Sequence, residues 1–251
     1  MKDIILDDGE RLDEVNEKIT LIQKKDGLTF GTDAFLLASF IKPLPKGIAA
    51  ELGAGTGIIS LLLAARNKFK HITAFEIQED FATLASRNVE FNELGDKIKI
   101  IHKDVLSASF ADTGSEVDVV FTNPPYMKTD SGKRNLTDYK YIARHEVCGN
   151  INDFCASAFK LLKHGGKFYA VWRPDRMTDL IAAMRNNRLE PKTVTFVHAD
   201  KSASPSMMLV CATKGGSSGM TVTPPLFLYN DGDRTKMTDE ATKIYDTMSF
   251  N

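Results

Sequence analysis

From about residue 48 to residue 213, short apolar runs alternate regularly with amphipathic stretches. Ile48–Leu52, His71–Glu76, Ile98–His102, Val117–Thr122 and Lys167–Trp172 each read as a strand, Val117–Thr122 being apolar enough to be central. The stretches between them have helical spacing. Gly57–Arg66 carries Ile58, Ile59, Leu61, Leu62 and Leu63. Glu79–Leu94 sets Phe81, Leu84, Ala85 and Val89 on one face, with Gly95 as its stop. Asn152 can cap a helix bearing Cys155, Ala158, Phe159 and Leu162 that ends at Gly165-Gly166, and Pro174 suits the first turn of another bearing Met177, Leu180, Ile181 and Met184. Thr193–Val197 and Met207–Ala212 are joined by only a short loop, which makes that pair antiparallel. The expected fold is α/β, a seven-stranded, mostly parallel sheet with an antiparallel last strand and helices on both faces. Such a sheet binds ligands at the carboxyl ends of its strands. The loops after Leu52, Glu76, His102 and Thr122 are therefore where chemistry is expected.

Three segments follow: an N-terminal extension, 1–46, with a helix over Asp33–Ile41 capped by Thr32; a core, 47–214; and a polar tail, 215–251, containing Pro224-Pro225 and read as loosely attached. Thirty-two Lys and Arg stand against 33 Asp and Glu, a net charge of −1, so any nucleic-acid contact must come from a local patch. Cys148, Cys155 and Cys211 are odd in number and lack CxxC spacing, which argues against a disulfide framework or zinc finger and suits a reducing cytoplasm. The N-terminus has no targeting pattern, and no apolar run approaches the ~20 residues of a membrane helix. No metal and no membrane partner are expected. Nothing in the sequence sets the oligomeric state; a monomer is the default expectation.

Glu51-Leu-Gly-Ala-Gly-Thr-Gly57 leaves the first strand and opens a helix. Its G-x-G-x-G spacing is not the G-x-G-x-x-G of dinucleotide sites. Glu76 ends the next strand and can accept hydrogen bonds from ribose hydroxyls; Asp104, at the end of the third, can accept one from an adenine amino group. Glu51 would repel a pyrophosphate but suits a cationic ligand bearing an ammonium or a sulfonium. The combination favours S-adenosylmethionine over NAD.

The fourth strand ends in Asn123-Pro124-Pro125-Tyr126. This tetrapeptide resembles the D/N/S-P-P-Y/F/W motif of amino-methyltransferases. The Asn123 side-chain oxygen and the Pro124 carbonyl are acceptors that can take both N–H bonds of a planar amine. Proline fixes the backbone, and Tyr126 offers a face for stacking the target ring. Catalysis would then be mainly positioning and electrostatics.

Further stretches extend the resemblance: GLTFGTDAFLLASF (27–40), FEIQ (75–78), ARHE (143–146), GKFYAVWRPDR (166–176), HADKSASPSMMLVCATKGG (198–216), PLFLYN (225–230) and a late Tyr245. In order and spacing the chain resembles the bacterial tRNA1(Val) (adenine-37-N6)-methyltransferases, of the Rossmann-like class I fold. The resemblance implies that Gly31 to Asp33 form a lid over the cofactor, S-adenosylmethionine, and that residues 127–147 shape the target-base pocket. The implied catalytic set is Asn123, Pro124, Pro125 and Tyr126. The implied cofactor set is Thr32, Asp33, Glu51, Gly53, Ala54, Gly55, Gly57, Glu76, Ile77, Asp104, Val105 and Asn123. Lys128, Lys133, Arg134, Lys140 and Arg144 make a mildly basic loop suited to a tRNA backbone. Arg173, Arg176, Arg185, Arg188, Lys192 and Lys201 form a second, weaker basic set, interspersed with acids.

The tetrapeptide alone also serves a guanine-N2 methyltransferase of ribosomal RNA or a protein glutamine N5-methyltransferase. The latter usually carries a longer helical N-terminal domain than the 46 residues here. A non-catalytic S-adenosylmethionine- or RNA-binding module would require a degraded glycine loop or tetrapeptide, and both are intact.

Overall fold

The computed structural model describes residues 6–25, 31–124, 150–230 and 233–250. A hairpin, β1 (Glu10–Asn16) and β2 (Ile19–Lys24), comes first, followed by helix α1 (Thr32–Phe40). The alternating region runs β3 (Leu44–Leu52), α2 (Ile58–Ala65), β4 (Phe69–Glu76), α3 (Glu79–Phe91), β5 (Ile98–His102), the one-turn α4 (Phe110–Thr113) and β6 (Val117–Thr122). After residues 125–149 come α5 (Ile151–Leu161), β7 (Leu162–Trp172), α6 (Met177–Asn186), β8 (Leu189–His198) and β9 (Pro205–Lys214). Short strands β10 (Thr221–Val222), β11 (Leu226–Phe227), β12 (Tyr229–Asn230) and β13 (Asp233–Met237) lead to helix α7 (Asp239–Thr247).

The seven expected strands lie in one sheet in the order β8-β9-β7-β6-β3-β4-β5, with the two-residue β10 and β11 added on β8 at the edge. β3 to β7 pair in parallel, and β9 runs antiparallel to both β7 and β8. From β3 the chain steps outward to β4 and β5, then returns to β6 on the other side. β3 and β6 therefore flank the topological switch, where an open α/β sheet offers a crevice. Alternation along β6 feeds both layers. Val119 and Phe121 belong to the core that includes residues of α1, α2 and α7; Val120 belongs to the one that includes Phe154 and Ala158 of α5 and Leu180 and Met184 of α6. Among the described residues no helix is long and apolar enough to cross a membrane.

The structure corrects several local expectations. Asn150, not Asn152, caps α5: its side chain accepts the N–H groups of Asn152 and Asp153, while Asp153 answers to the Asn150 N–H. Asn152 has Cys155 at the reciprocal position and cannot form that box. Helix α3 is stopped by Glu93, at φ 57°, not by Gly95. The Leu94 N–H bonds the Val89 carbonyl and the Glu93 N–H that of Glu90, a Schellman closure in which Leu94 is buried beside Val89. Helix α5 gives way to β7 directly at Leu162, so Gly165-Gly166 falls inside a strand, between register pairs Val117–Leu162 and Val119–Lys167. The N-cap of α1 is Gly31, and Thr32 is its first helical residue.

The hairpin β1–β2 was not expected. Asn88 on α3 and Asn92, its C-cap one turn later, act as a surrogate strand for β2. The Asn88 Oδ1 accepts the Ile22 N–H (2.7 Å) and its Nδ2 donates to the Ile22 carbonyl; Asn92 does the same at Thr20. Nor is the segment from 215 loose. Leu226, Leu228, Ala241, Ile244 and Met248 are buried in the same core as α1. Tyr245 stacks on Phe35, ring centroids 4.3 Å apart, and Phe250 meets Phe40 edge-on.

Candidate active site

The carboxyl ends of β3, β4 and β6 are tied together by groups the strand ladders leave over. The Gly53 and Ala54 N–H groups both bond the Phe75 carbonyl at 2.9 Å. The Thr122 hydroxyl donates to the Leu52 carbonyl at 2.7 Å, one step past the last β3–β6 register pair, Glu51–Phe121. Asn123 is thereby held beside the start of the glycine loop. Gly53, Gly55 and Gly57 all have positive φ (76°, 55° and 83°), a run that only glycines take without strain. A Cβ on Gly55 would meet nothing within 4 Å, so the loop presents bare backbone there.

Glu76 is buried at the end of β4 and braces this loop. One carboxylate oxygen accepts the Gly55 N–H (2.8 Å) and the other the Gln78 N–H (2.9 Å). Asn88 adds a bond to the Thr56 carbonyl (3.0 Å), a loop support that sequence reasoning missed; its only trace there is a polar side chain on the inner face of an amphipathic helix. Ile77 follows Glu76, and its carbonyl meets His102 Nε2 at 2.9 Å. Asp104 stands two residues past the end of β5 and caps a short 3₁₀ turn, accepting the Leu106 N–H, while Val105 is buried beneath it. The ends of β3, β4, β5 and β6 thus bring together Gly53, Ala54, Gly55, Gly57, Glu76, Ile77, Asp104, Val105, Asn123 and Pro124. Pro125, Tyr126, Lys128, Lys133, Arg134, Lys140 and Arg144 lie outside the described residues, as does Cys148.

Glu51 does not face a cationic ligand, as its place before the glycine loop suggests: it turns inward, to the Ser60 hydroxyl and N–H on α2, and is 1% exposed. Burial pushes its carboxyl up to about 8, assisted by the nearby Glu76 charge and opposed by the Ser60 bonds. The folded protein therefore keeps a proton that an unfolded chain, at an ordinary 4.5, releases. The resulting stability is fully present below about pH 4.5 and is lost as pH rises through about 8. Glu51→Gln cannot ionise and keeps an acceptor for Ser60. Its melting temperature relative to the parent is expected to rise steadily between pH 5 and pH 8.5. A difference independent of pH would show that Glu51 is ionised in the fold.

Thr32 and Asp33 reach the site from the start of α1. The Asn123 Nδ2 donates to the Asp33 Oδ2 at 3.0 Å. The far end of α1 is anchored by Lys68, a buried lysine whose ammonium donates to the carbonyls of Ala38, Ser39 and Ile41. Burial, then the neighbouring Arg66 charge, lowers its pKa to about 8. Beside Asp33 opens a cleft of about 450 Å³ lined by residues of α1, the β7 exit and the start of β9, among them Arg173, Pro174 and Ser206. Much of the second basic set is engaged locally. Arg173 pairs with Asp175, Arg176 with Asp179 and Arg185 with Glu190, and the Lys192 ammonium donates to the carbonyls of Ser217 and Gly219. Among the described residues no group of His, Cys, Asp and Glu is disposed to hold a metal ion.

A mostly parallel sheet with a glycine loop leaving β3 and Asn-Pro leaving β6 defines a methyltransferase of the Rossmann-like class. The chain belongs to the methyltransferase small domain family, whose model matches residues 24–196. It is 28% identical over 215 residues to a tRNA1(Val) (adenine(37)-N6)-methyltransferase of Dyadobacter fermentans, covering 85% of this chain and 87% of that one. It is 27% identical over 198 residues to a protein of the same name from Parabacteroides distasonis, covering 77% and 80%. Its fold is shared with the crystal structure of a protein described as a predicted O-methyltransferase from Agrobacterium tumefaciens: TM-score 0.70 and 24% identity, over 88% of this chain and 98% of that one.

Proposed function

We propose that the chain transfers the methyl group of S-adenosylmethionine to N6 of an adenine in tRNA, at adenosine 37 of tRNA1(Val). The observation that carries this reading is the juxtaposition, across the β3–β6 switch, of a left-handed glycine loop and the Asn123 amide. The residues fit the cofactor. Gly53, Gly55 and Gly57 offer backbone without side chains and Ala54 adds only a buried methyl group, and Glu51, Ile77 and Val105 complete the cofactor set assigned here. Glu76 has lone pairs left for ribose hydroxyls, and Asp104 has them for an adenine amine. Bound there, S-adenosylmethionine supplies an electrophilic methyl group on a sulfonium.

The chain's own residues prepare the amine. Its lone pair is delocalised into the ring, which makes it a poor nucleophile. Asn123 Oδ1 and the Pro124 carbonyl accept its two N–H bonds, draw the nitrogen out of plane and localise the lone pair. Pro125 fixes the backbone and Tyr126 stacks on the flipped base. Lys128, Lys133, Arg134, Lys140 and Arg144 hold the phosphate backbone, and the reaction is cytoplasmic. The names of the relatives from Dyadobacter and Parabacteroides support the choice of tRNA over ribosomal RNA or protein.

The test is mass spectrometry on unmodified tRNA, ribosomal RNA and cell protein, each incubated with the protein and labelled S-adenosylmethionine. N6-methyladenosine mapping to position 37 of tRNA1(Val) is the expected product. Label found instead in N2-methylguanosine of ribosomal RNA, or in glutamine, would replace the reading with one of its competitors.

A further inference from the structure

We propose that Asp33 is a positioning residue for Asn123, fixing which end of its amide faces the target amine; this rests on the reading of Asn123 as an acceptor. An asparagine amide has two ends of nearly equal size and opposite hydrogen-bonding character. Turned one way it offers oxygen to the target N–H bonds; turned the other it opposes them with its own N–H groups. A neighbouring carboxylate chooses between the two, because its oxygens accept. The Asp33 Oδ2, 3.0 Å from the Asn123 Nδ2, requires the NH₂ end on its side and leaves Oδ1 on the other branch of the planar amide.

Three further observations show that Asp33 is itself held. Its second oxygen, Oδ1, accepts the Ala34 N–H at 2.9 Å, in the first turn of α1, where the helix dipole favours an anion. Gly31 leaves room for that oxygen: a Cβ there would lie 2.7 Å from Oδ1. Gly31 has φ −110°, which any residue adopts, so the requirement for glycine here is space for this carboxylate. Helix α1 is in turn fixed at its far end by Lys68 and along its side by Tyr245. Asp33 thus acts through Asn123 rather than on the cofactor.

The test is a set of variants assayed for methyl transfer from labelled S-adenosylmethionine to tRNA, with cofactor affinity measured by calorimetry. Asp33→Ala is expected to lower kcat about 10–100-fold, the rate equivalent of one charge-assisted hydrogen bond, with cofactor affinity unchanged. In an Asn123→Ala background the same substitution should cost nothing more. The exchange of partners is the stricter arm. Asn123→Asp alone sets two carboxylates together and should lose activity as pH rises and their shared proton leaves. Adding Asp33→Asn restores a donor facing an acceptor, and should recover activity and flatten that pH profile. A merely structural Asp33 would show no such rescue. Asp33→Ala with parental kcat beside a crippled Asn123→Ala overturns the positioning role alone, as does a loss of cofactor affinity that is additive with Asn123→Ala. An Asn123→Ala enzyme of full activity overturns the acceptor reading, and this proposal with it.

Discussion

Asn123→Ala is expected to lower kcat by about 10²–10³, the loss typical of one preorganised polar contact at a transition state, while leaving affinity for S-adenosylmethionine intact. The separation follows from the geometry. The backbone that holds the glycine loop is tied by the Phe75 and Leu52 carbonyls and by Glu76, none of which depends on the Asn123 side chain. The change removes one of two acceptors and leaves the Pro124 carbonyl. Rapid-quench measurement of a single turnover, paired with calorimetry, checks both halves. A weakened cofactor with an unchanged single-turnover rate would move Asn123 from the amine to the cofactor.

Glu76→Ala is expected to do the reverse. Its carboxylate is buried and already satisfies two backbone N–H groups, those of Gly55 and Gln78. Removing it leaves both without that acceptor and takes away the candidate ribose contacts. Each of these half-buried donors loses a hydrogen bond to a carboxylate, worth about 1.5–3 kcal/mol. The glycine loop loses its brace, so cofactor affinity should fall by on the order of 10- to 100-fold or more, with a lower melting temperature as well. Glu76→Gln keeps one acceptor oxygen and should fall between. Undiminished affinity in calorimetry for the alanine variant would remove Glu76 from the cofactor site.

The strands were legible because β4, β6 and the carboxyl-terminal halves of β3 and β7 are buried on both faces and so carry nearly unbroken apolar runs. The hairpin was not, because β1 (ERLDEVN) is mostly charged. β2 owes its place to amides of α3, with the Ile22–Asn88 bond spanning 66 residues. Helix ends were displaced by one or two residues where two capping solutions competed, as at Asn150 and Asn152. In the site, glycines at positive φ and a prolyl acceptor at a strand end are demanded by backbone geometry, and they show in residue type. The bond from Asn123 to Asp33 spans 90 residues and leaves no local mark. The inward turn of Glu51 is likewise set by Ser60 on the next helix.

The packing of α7 on α1 carries a consequence for how the protein is born. Phe35, on the helix that delivers Asp33, is covered by Tyr245, and Ser39 of the same helix meets Met248. On a ribosome the segment 239–248 emerges roughly 200 residues after α1, a separation that makes this contact among the costliest in chain entropy to close. The glycine loop and the Asn-Pro turn can assemble on the nascent chain well before then. A chain that stops short of residue 239 lacks the cover on Phe35 and the partner of Ser39, while Lys68 still holds the carbonyls at the far end of α1.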